Sequence, residues 1–206
     1  MGFKLMAVAT AEELPVGKTW LSDLLLSGLE TLHLRTKSYS ESEFKQFIQL
    51  IPTSYFPCIT IHAHYGLAGR LGLGGIHLTE TKKTLADSAL FWEACREKRI
   101  SASFHSLADV EQNRHPYHYG FLSPVFHSIS KSDYRSPFTP TQLKAFLRNA
   151  SATPGPALPL MALGGITENN ILQVKEMGFA GAGLYGCLWK ADNPVKSFEA
   201  ICKRIG

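Results

Sequence analysis

Four histidines of this 206-residue chain lie in short apolar runs where residue types alternate: His33, His62, His77 and His105. Imidazole titrates near neutral pH, so such residues suit proton transfer as well as metal ligation. In Leu32-His33-Leu34-Arg35 the leucines take one face, and His33 and Arg35 the other. Ile59-Thr60-Ile61-His62 repeats the pattern, with Thr60 and His62 opposite the isoleucines. Ser101, Ser103 and His105 share a face, and His77 opposes Ile76 and Leu78. One histidine near a strand end is ordinarily a hydrogen-bonded structural residue. Four on neighbouring strands, joined by Arg35, Lys37 and Ser103, describe a polar mouth that binds a ligand. His62 and His64 also form an HxH pair, a spacing that zinc uses. No nearby Asp or Cys completes that set, so no metal ligand is assigned.

Eight strand-like runs must position these side chains: Phe3–Thr10, Leu29–Thr36, Pro57–His62, Gly75–Leu78, Ile100–His105, Tyr117–Ser123, Leu158–Leu163 and Ala180–Tyr185. Between them lie helix-like stretches: Thr19–Ser27, Glu41–Leu50, Tyr65–Leu71, Leu85–Lys98, Leu107–Asn113, Pro140–Arg148, Glu168–Met177 and Pro194–Lys203. Thr139 and Thr167 stand where N-caps are expected, and Gly178 where a helix should stop. Strict alternation implies a parallel sheet with helices outside it. Eight units predict a single (β/α)8 TIM barrel over residues 1–206, near the short end of that fold's range of about 200 residues upward. A doubly wound sheet would want a Gly-rich turn after the first strand. The chain offers TAEELPVG there. In a barrel the outer face is apolar, so the polar face points inward and ends at the active-site mouth.

Two further segments belong to that mouth. Leu163-Gly164-Gly165-Ile166-Thr167 follows the seventh strand, and Tyr185-Gly186-Cys187 the eighth. Barrels bind phosphate between these turns, so Gly164, Gly165, Tyr185 and Gly186 are the expected phosphate site. The segment from Ser123 to Lys131 adds hydroxyls and an ammonium after the sixth strand. With Arg35 and Lys37 it forms a second anion site.

Composition narrows the partners. Charged residues make up 18%, the apolar set 45%, and the net charge is +4. That charge is dispersed, which argues against nucleic acid and suits a small anionic substrate. No apolar run is long enough for a membrane span. The start lacks a signal-peptide pattern, and Cys58, Cys95, Cys187 and Cys202 lie far apart. A reducing cytoplasm is therefore expected. A homo-oligomer stays open.

The ordered motifs LHLRTK, GLGGIHL, SASFHS, SPVFHSISKSD, ALGGITENN and GAGLYG resemble those of the thiamine phosphate synthase/TenI family of barrels. The resemblance spans nearly the whole chain and implies a role in thiamine biosynthesis. The synthase joins a pyrimidine diphosphate to a thiazole phosphate and releases diphosphate. TenI proteins are tautomerases that move a proton on the thiazole phosphate. By this resemblance Arg35 and Lys37 hold diphosphate, helped by Ser103, Ser128, Ser130 and Lys131. Gly164, Gly165, Tyr185 and Gly186 hold the thiazole phosphate. Three departures stand out. The synthase pattern has Asn-Asp after the third strand, where this chain has His62-Ala63. It has a second magnesium Asp after the fourth, where this chain has Lys82. Its second-strand Gln is His33. Magnesium wants hard oxygen ligands, and Glu80 or Asp133 are the only substitutes suggested by position. Magnesium is thus expected only if the protein is a synthase. The departures lean toward a tautomerase-like enzyme with His127, His105, His33 and His62 as acid/base candidates. The tautomerase pattern puts its own His where this chain has Pro124, so His127 is chosen by position only. A synthase with relocated ligands, a non-catalytic thiazole-phosphate binder and another phosphosugar-handling barrel are the alternatives.

Overall fold

The computed structural model describes residues 2–14, 20–127, 136–152 and 157–206. Eight strands run β1 (Lys4–Thr10), β2 (Thr31–Arg35), β3 (Ile59–Ile61), β4 (Gly75–Leu78), β5 (Arg99–Phe104), β6 (Tyr119–Leu122), β7 (Leu160–Leu163) and β8 (Gly181–Leu184). Every neighbouring pair is parallel, and β8 returns to β1 to close the barrel. The chain is therefore a (β/α)8 barrel, as its alternation predicts.

Alternation along the strands divides the core in two. Leu32, Leu34, Ile59, Ile61, Ile76 and Leu78 face outward and are buried under the helices. A smaller cluster of Met6, Val8, Tyr119, Phe121 and Met161 fills the interior. Space inside is tight. A Cβ on Gly183 would lie 2.8 Å from Phe121, so β8 stays bare where that ring crosses the barrel. Buried aromatic and aliphatic groups of this kind contribute about 1.5–3 kcal/mol each.

The helices are α1 (Trp20–Leu26), α2 (Glu41–Gln49), α3 (Gly66–Leu71), α4 (Ala89–Ala94), α5 (Leu107–Glu111), α6 (Pro140–Ala152), α7 (Ile171–Met177), α8 (Gly186–Trp189) and α9 (Pro194–Ile205). Local chemistry explains several of their ends. Ser40 opens α2 with a reciprocal capping box to Glu43. Thr139 caps α6 as expected: its Oγ1 accepts from Gln142 N, and Gln142 Oε1 accepts from Thr139 N. Gly178 ends α7 at φ 98°.

Two expectations need correction. The single helix expected over Leu85–Lys98 is broken. A 3-10 stretch covers Glu80–Asp87, Ser88 is extended (φ −92°, ψ 123°), and only α4 follows. Trp92 Nε1 donates to Ala86 O at 2.8 Å and folds α4 back on the stretch before it. Thr167 is not an N-cap. Asn170 Oδ1 accepts from Thr167 N, and Asn170 Nδ2 donates to Gly165 O, both at 2.8 Å. This compact turn holds residues 164–170 together and delays α7 to Ile171.

Candidate active site at the strand carboxyl ends

Inward alternation brings His33 (on β2), His62 (just past β3) and His77 (on β4) into one group. His33 Nδ1 lies 2.9 Å from His62 Nε2, and His33 Nε2 lies 2.7 Å from Tyr119 Oη. The His62 and His77 rings stack at 4.2 Å between centroids. His77 engages Ser101 Oγ at 2.9 Å and Ser103 Oγ at 2.8 Å. His33 and His77 are fully buried, and His62 partly. Burial penalises the imidazolium, so all three sit below the usual histidine range. His77 falls to about 3, with the Lys83 charge adding to the effect. Desolvation dominates for His33 and His62 too, each further lowered by the neighbouring His77. The floor of the mouth is therefore three neutral imidazoles.

The fourth histidine stands apart. His105 follows β5, is exposed, and puts Nδ1 3.0 Å from Ser123 O. It does not join the three-imidazole group. A carbonyl only accepts, so Nδ1 is the donor in this contact, and Nε2 is left without a hydrogen-bond partner among the described residues. His64 points elsewhere again, toward Tyr39 O at 3.0 Å, which separates the HxH pair. His127 is exposed, and its Nδ1 accepts from Ser136 N at 3.0 Å. Ser128, Ser130, Lys131 and Asp133 lie outside the described residues.

The rim between β1, β2 and β8 carries the cations. Arg35 Nε donates to Thr10 Oγ1 at 2.8 Å, and its guanidinium lies 4.9 Å from the Tyr185 ring centroid. Lys37 pairs with Glu13, and Tyr185 Oη also donates to Glu13. Glu12, whose importance the sequence reading missed, organises the chain after β2. Its Oε1 accepts from Thr36 Oγ1 and from the N–H groups of Lys37, Ser38 and Tyr39. Burial alone would raise the Glu12 carboxyl, but these donors hold it down at about 2. The Lys37 ammonium and Tyr185 hydroxyl likewise lower the Glu13 carboxyl. TAEE after the first strand was informative only for the glycines it lacks. Its carboxylates act across about two dozen residues, and no local periodicity reports that.

The glycine turns, after β7 and β8, form the adjoining part of the rim. Gly164 (φ 93°) and Gly165 (φ 67°) adopt conformations that favour glycine. A Cβ on Gly164 would lie 2.9 Å from Pro124, and one on Gly165 2.6 Å from His127 O. Val125 N donates to Leu163 O and Phe126 N to Gly164 O. The chain after β6 thus lies directly on the turn after β7, linking His105 through Ser123 to the glycines. Gly186 differs: among the described residues, nothing beyond its chain neighbours and its own helix backbone lies within 4 Å of its Cβ position. It heads the short α8, the element that completes phosphate sites in this fold.

The magnesium positions do not fit the ion. Ala63 offers no ligand, and Lys82 is a cation. Glu80 and Asp109 both pair with Lys83 Nζ, at 2.9 and 2.5 Å. A carboxylate already neutralised in this way is a poor replacement for the missing ligands.

A family model described as thiamine monophosphate synthase (TMP-TENI) matches residues 5–186. The chain belongs to this family. Relatives of the thiamine monophosphate synthase family agree across most of the chain. The thiamine-phosphate synthase of Neisseria meningitidis serogroup A is 27% identical over 190 residues, covering 88% of this chain and 89% of that protein. The thiamine-phosphate synthase of Listeria welshimeri is 26% identical over 182 residues, covering 84% of both. The crystal structure of thiamine phosphate pyrophosphorylase from Bacteroides thetaiotaomicron superposes with a TM-score of 0.78 at 28% identity, over 98% of this chain and 97% of that one. Among the described residues, no helix is long and apolar enough to cross a membrane.

Proposed function

We propose that the protein is a thiamine-biosynthesis enzyme that moves a proton on a thiazole (carboxylate) phosphate, rather than a magnesium-assisted diphosphate transferase. The observation that carries this reading is the pair of altered carboxylate positions. Ala63 has no ligand atom, and the ground past β4 is occupied by the Lys83 ion pairs. Leaving diphosphate builds charge that a metal ordinarily neutralises. Proton transfer needs an anchor and an acid/base group instead.

Each part has a place in the mouth. Gly186, where α8 begins, offers open backbone approach to the phosphate, while Gly164 and Gly165 let the chain at Pro124 and His127 pack onto the neighbouring turn. Arg35 and Lys37 supply positive charge on the adjoining rim for a carboxylate or second phosphate. His105 is the acid/base residue. Its Nδ1–H is held by Ser123 O, so Nε2 takes the proton and returns it. Burial holds His33 and His62 below the usual histidine range, and both His33 nitrogens are engaged by His62 and Tyr119, so neither is assigned as the base. His127 Nδ1 accepts from Ser136 N, which engages a lone pair a base would need.

A synthase with relocated ligands is the second reading, favoured by the names of the relatives and by the Arg35–Lys37 pair. Diphosphate release, measured with pyrimidine diphosphate and thiazole carboxylate phosphate with and without magnesium, separates the two. The proposed reaction gives no magnesium-dependent release. Robust release makes the protein a synthase. Thiazole phosphate binding with neither release nor proton exchange makes it a non-catalytic binder.

A further inference from the structure

The three-imidazole floor has a geometry that the proposed proton transfer leaves unused. His33, His62 and His77 come from three consecutive strands. One ring nitrogen from each lies within 4.8 Å of the other two. We propose that this cluster binds a divalent transition ion of the zinc class through the three imidazoles, with its remaining position on the His62 side.

Ligand chemistry selects the ion. Three nitrogens without a carboxylate suit zinc or cobalt, whereas magnesium and calcium want oxygen. Spacing is close to what is needed for the His33–His62 pair, while the set of three spans up to 4.8 Å and His77 has further to close. Two zinc–nitrogen bonds of about 2.0–2.1 Å at a tetrahedral angle put the nitrogens about 3.3 Å apart. His33 Nδ1 and His62 Nε2 stand 2.9 Å apart and need open by only a few tenths of an ångström.

Tautomers allow the exchange. With His33 Nε2–H donating to Tyr119 Oη, His33 Nδ1 bears a lone pair and accepts from His62 Nε2–H. If the His62 proton moves from Nε2 to Nδ1, two lone pairs face each other and the cation replaces the proton between them. No net proton is released. His62 is the partly exposed member, so this rearrangement and the ion's entry share one side. Burial keeps the rings neutral, the form a metal requires. Partners behind the ligands also exist. Tyr119 Oη orients His33; both His77 nitrogens engage serines, so one of Ser101 and Ser103 gives way to the ion and the other stays behind the ring.

Electrostatics define the fourth ligand. The charges facing the cluster are Arg35, Arg99 and Lys83. A dication among them needs an anion, so the open position takes hydroxide, carboxylate or phosphate oxygen.

Metal binding is read on the whole chain without substrate, so this inference stands or falls apart from the proposed reaction. Chelator-treated protein is titrated with Co²⁺, the visible-absorbing probe of zinc sites. One equivalent should give the bands of nitrogen-ligated cobalt, which one equivalent of Zn²⁺ abolishes and Mg²⁺ does not. His33→Gln and His62→Asn introduce residues of similar size and polarity. Each should weaken cobalt binding by more than about 100-fold, beyond the 10–100-fold typical of losing an outer partner. The melting temperature in chelator reports whether the variants fold. X-ray absorption on zinc-loaded wild type should show three imidazole nitrogens and needs no variant. Absence of stoichiometric uptake, cobalt bands that persist in both variants, or an oxygen-only shell would overturn the site.

Discussion

The two sides of the mouth are built differently. The side between β6 and β8 is backbone: glycine turns at Gly164 and Gly165, the chain after β6 lying on them, and an open Gly186. The side from β2 to β4 is side chain: three neutral imidazoles in contact. By the resemblance in motifs, the departures at His33, Ala63 and Lys82 all fall on the second side; on the proposed reading, the mouth retains an anchor for a phosphorylated ligand while the chemistry beside it changes. Backbone turns depend on φ angles and close approach, which few residues satisfy. Inward strand positions accept any side chain that fits and finds partners.

Acid should break the imidazole side most strongly. A histidine with a folded pKa below its unfolded value of about 6.5 binds its proton more readily when unfolded. Its stability contribution is full above pH 6.5 and is lost as pH falls toward the folded value, about 3 for His77. Each such group costs about 1.4 kcal/mol per pH unit inside that window. Denaturant unfolding should show lower stability at pH 5 than at pH 7, and His33→Gln/His62→Asn should reduce the difference. Equal stability at both pH values would show that the cluster is not held neutral.

The glycine side should break next. Gly165→Ala combines φ 67° with a Cβ 2.6 Å from His127 O. It should cost roughly 3 kcal/mol, from backbone strain plus the shift needed to relieve the clash. A loss below about 0.5 kcal/mol would mean that the chain after β6 is free to move away. Gly186→Ala sharpens the contrast, because that site is open. Stability should change by no more than about 0.5 kcal/mol, while thiazole phosphate affinity by calorimetry falls about tenfold, equivalent to about 1.4 kcal/mol. Unchanged affinity would remove Gly186 from the phosphate site. The smallest effect belongs to Glu13→Gln. Its pair with Lys37 is exposed, so thermal stability should move by less than about 1 kcal/mol.

The contrast also explains what the sequence makes legible. Alternation in Leu32–Arg35 and Ile59–His62 identifies both the outer core and the inward histidines, because a strand has a period of two. The glycine turns are equally readable, since GG after a strand has few other uses. His105 is placed at the correct end but not in the cluster, because its ring turns to Ser123 O rather than across the barrel. The broken helix after β4 and the delayed α7 follow from single side chains, Trp92 and Asn170, that outweigh periodicity. Glu12 and Glu13 are invisible for another reason: their partners lie on β2 and β8, joined only by the closed barrel.

The central claim is proton transfer through His105 without magnesium chemistry. Proton NMR of thiazole carboxylate phosphate in D₂O, with wild type and His105→Ala side by side, tests it most directly. Wild type should exchange the ligand's proton at a rate that added magnesium does not change. The His105→Ala rate should fall by about 10² to 10⁴-fold. Undiminished exchange in His105→Ala, or no exchange by wild type alongside magnesium-dependent diphosphate release, would contradict the account.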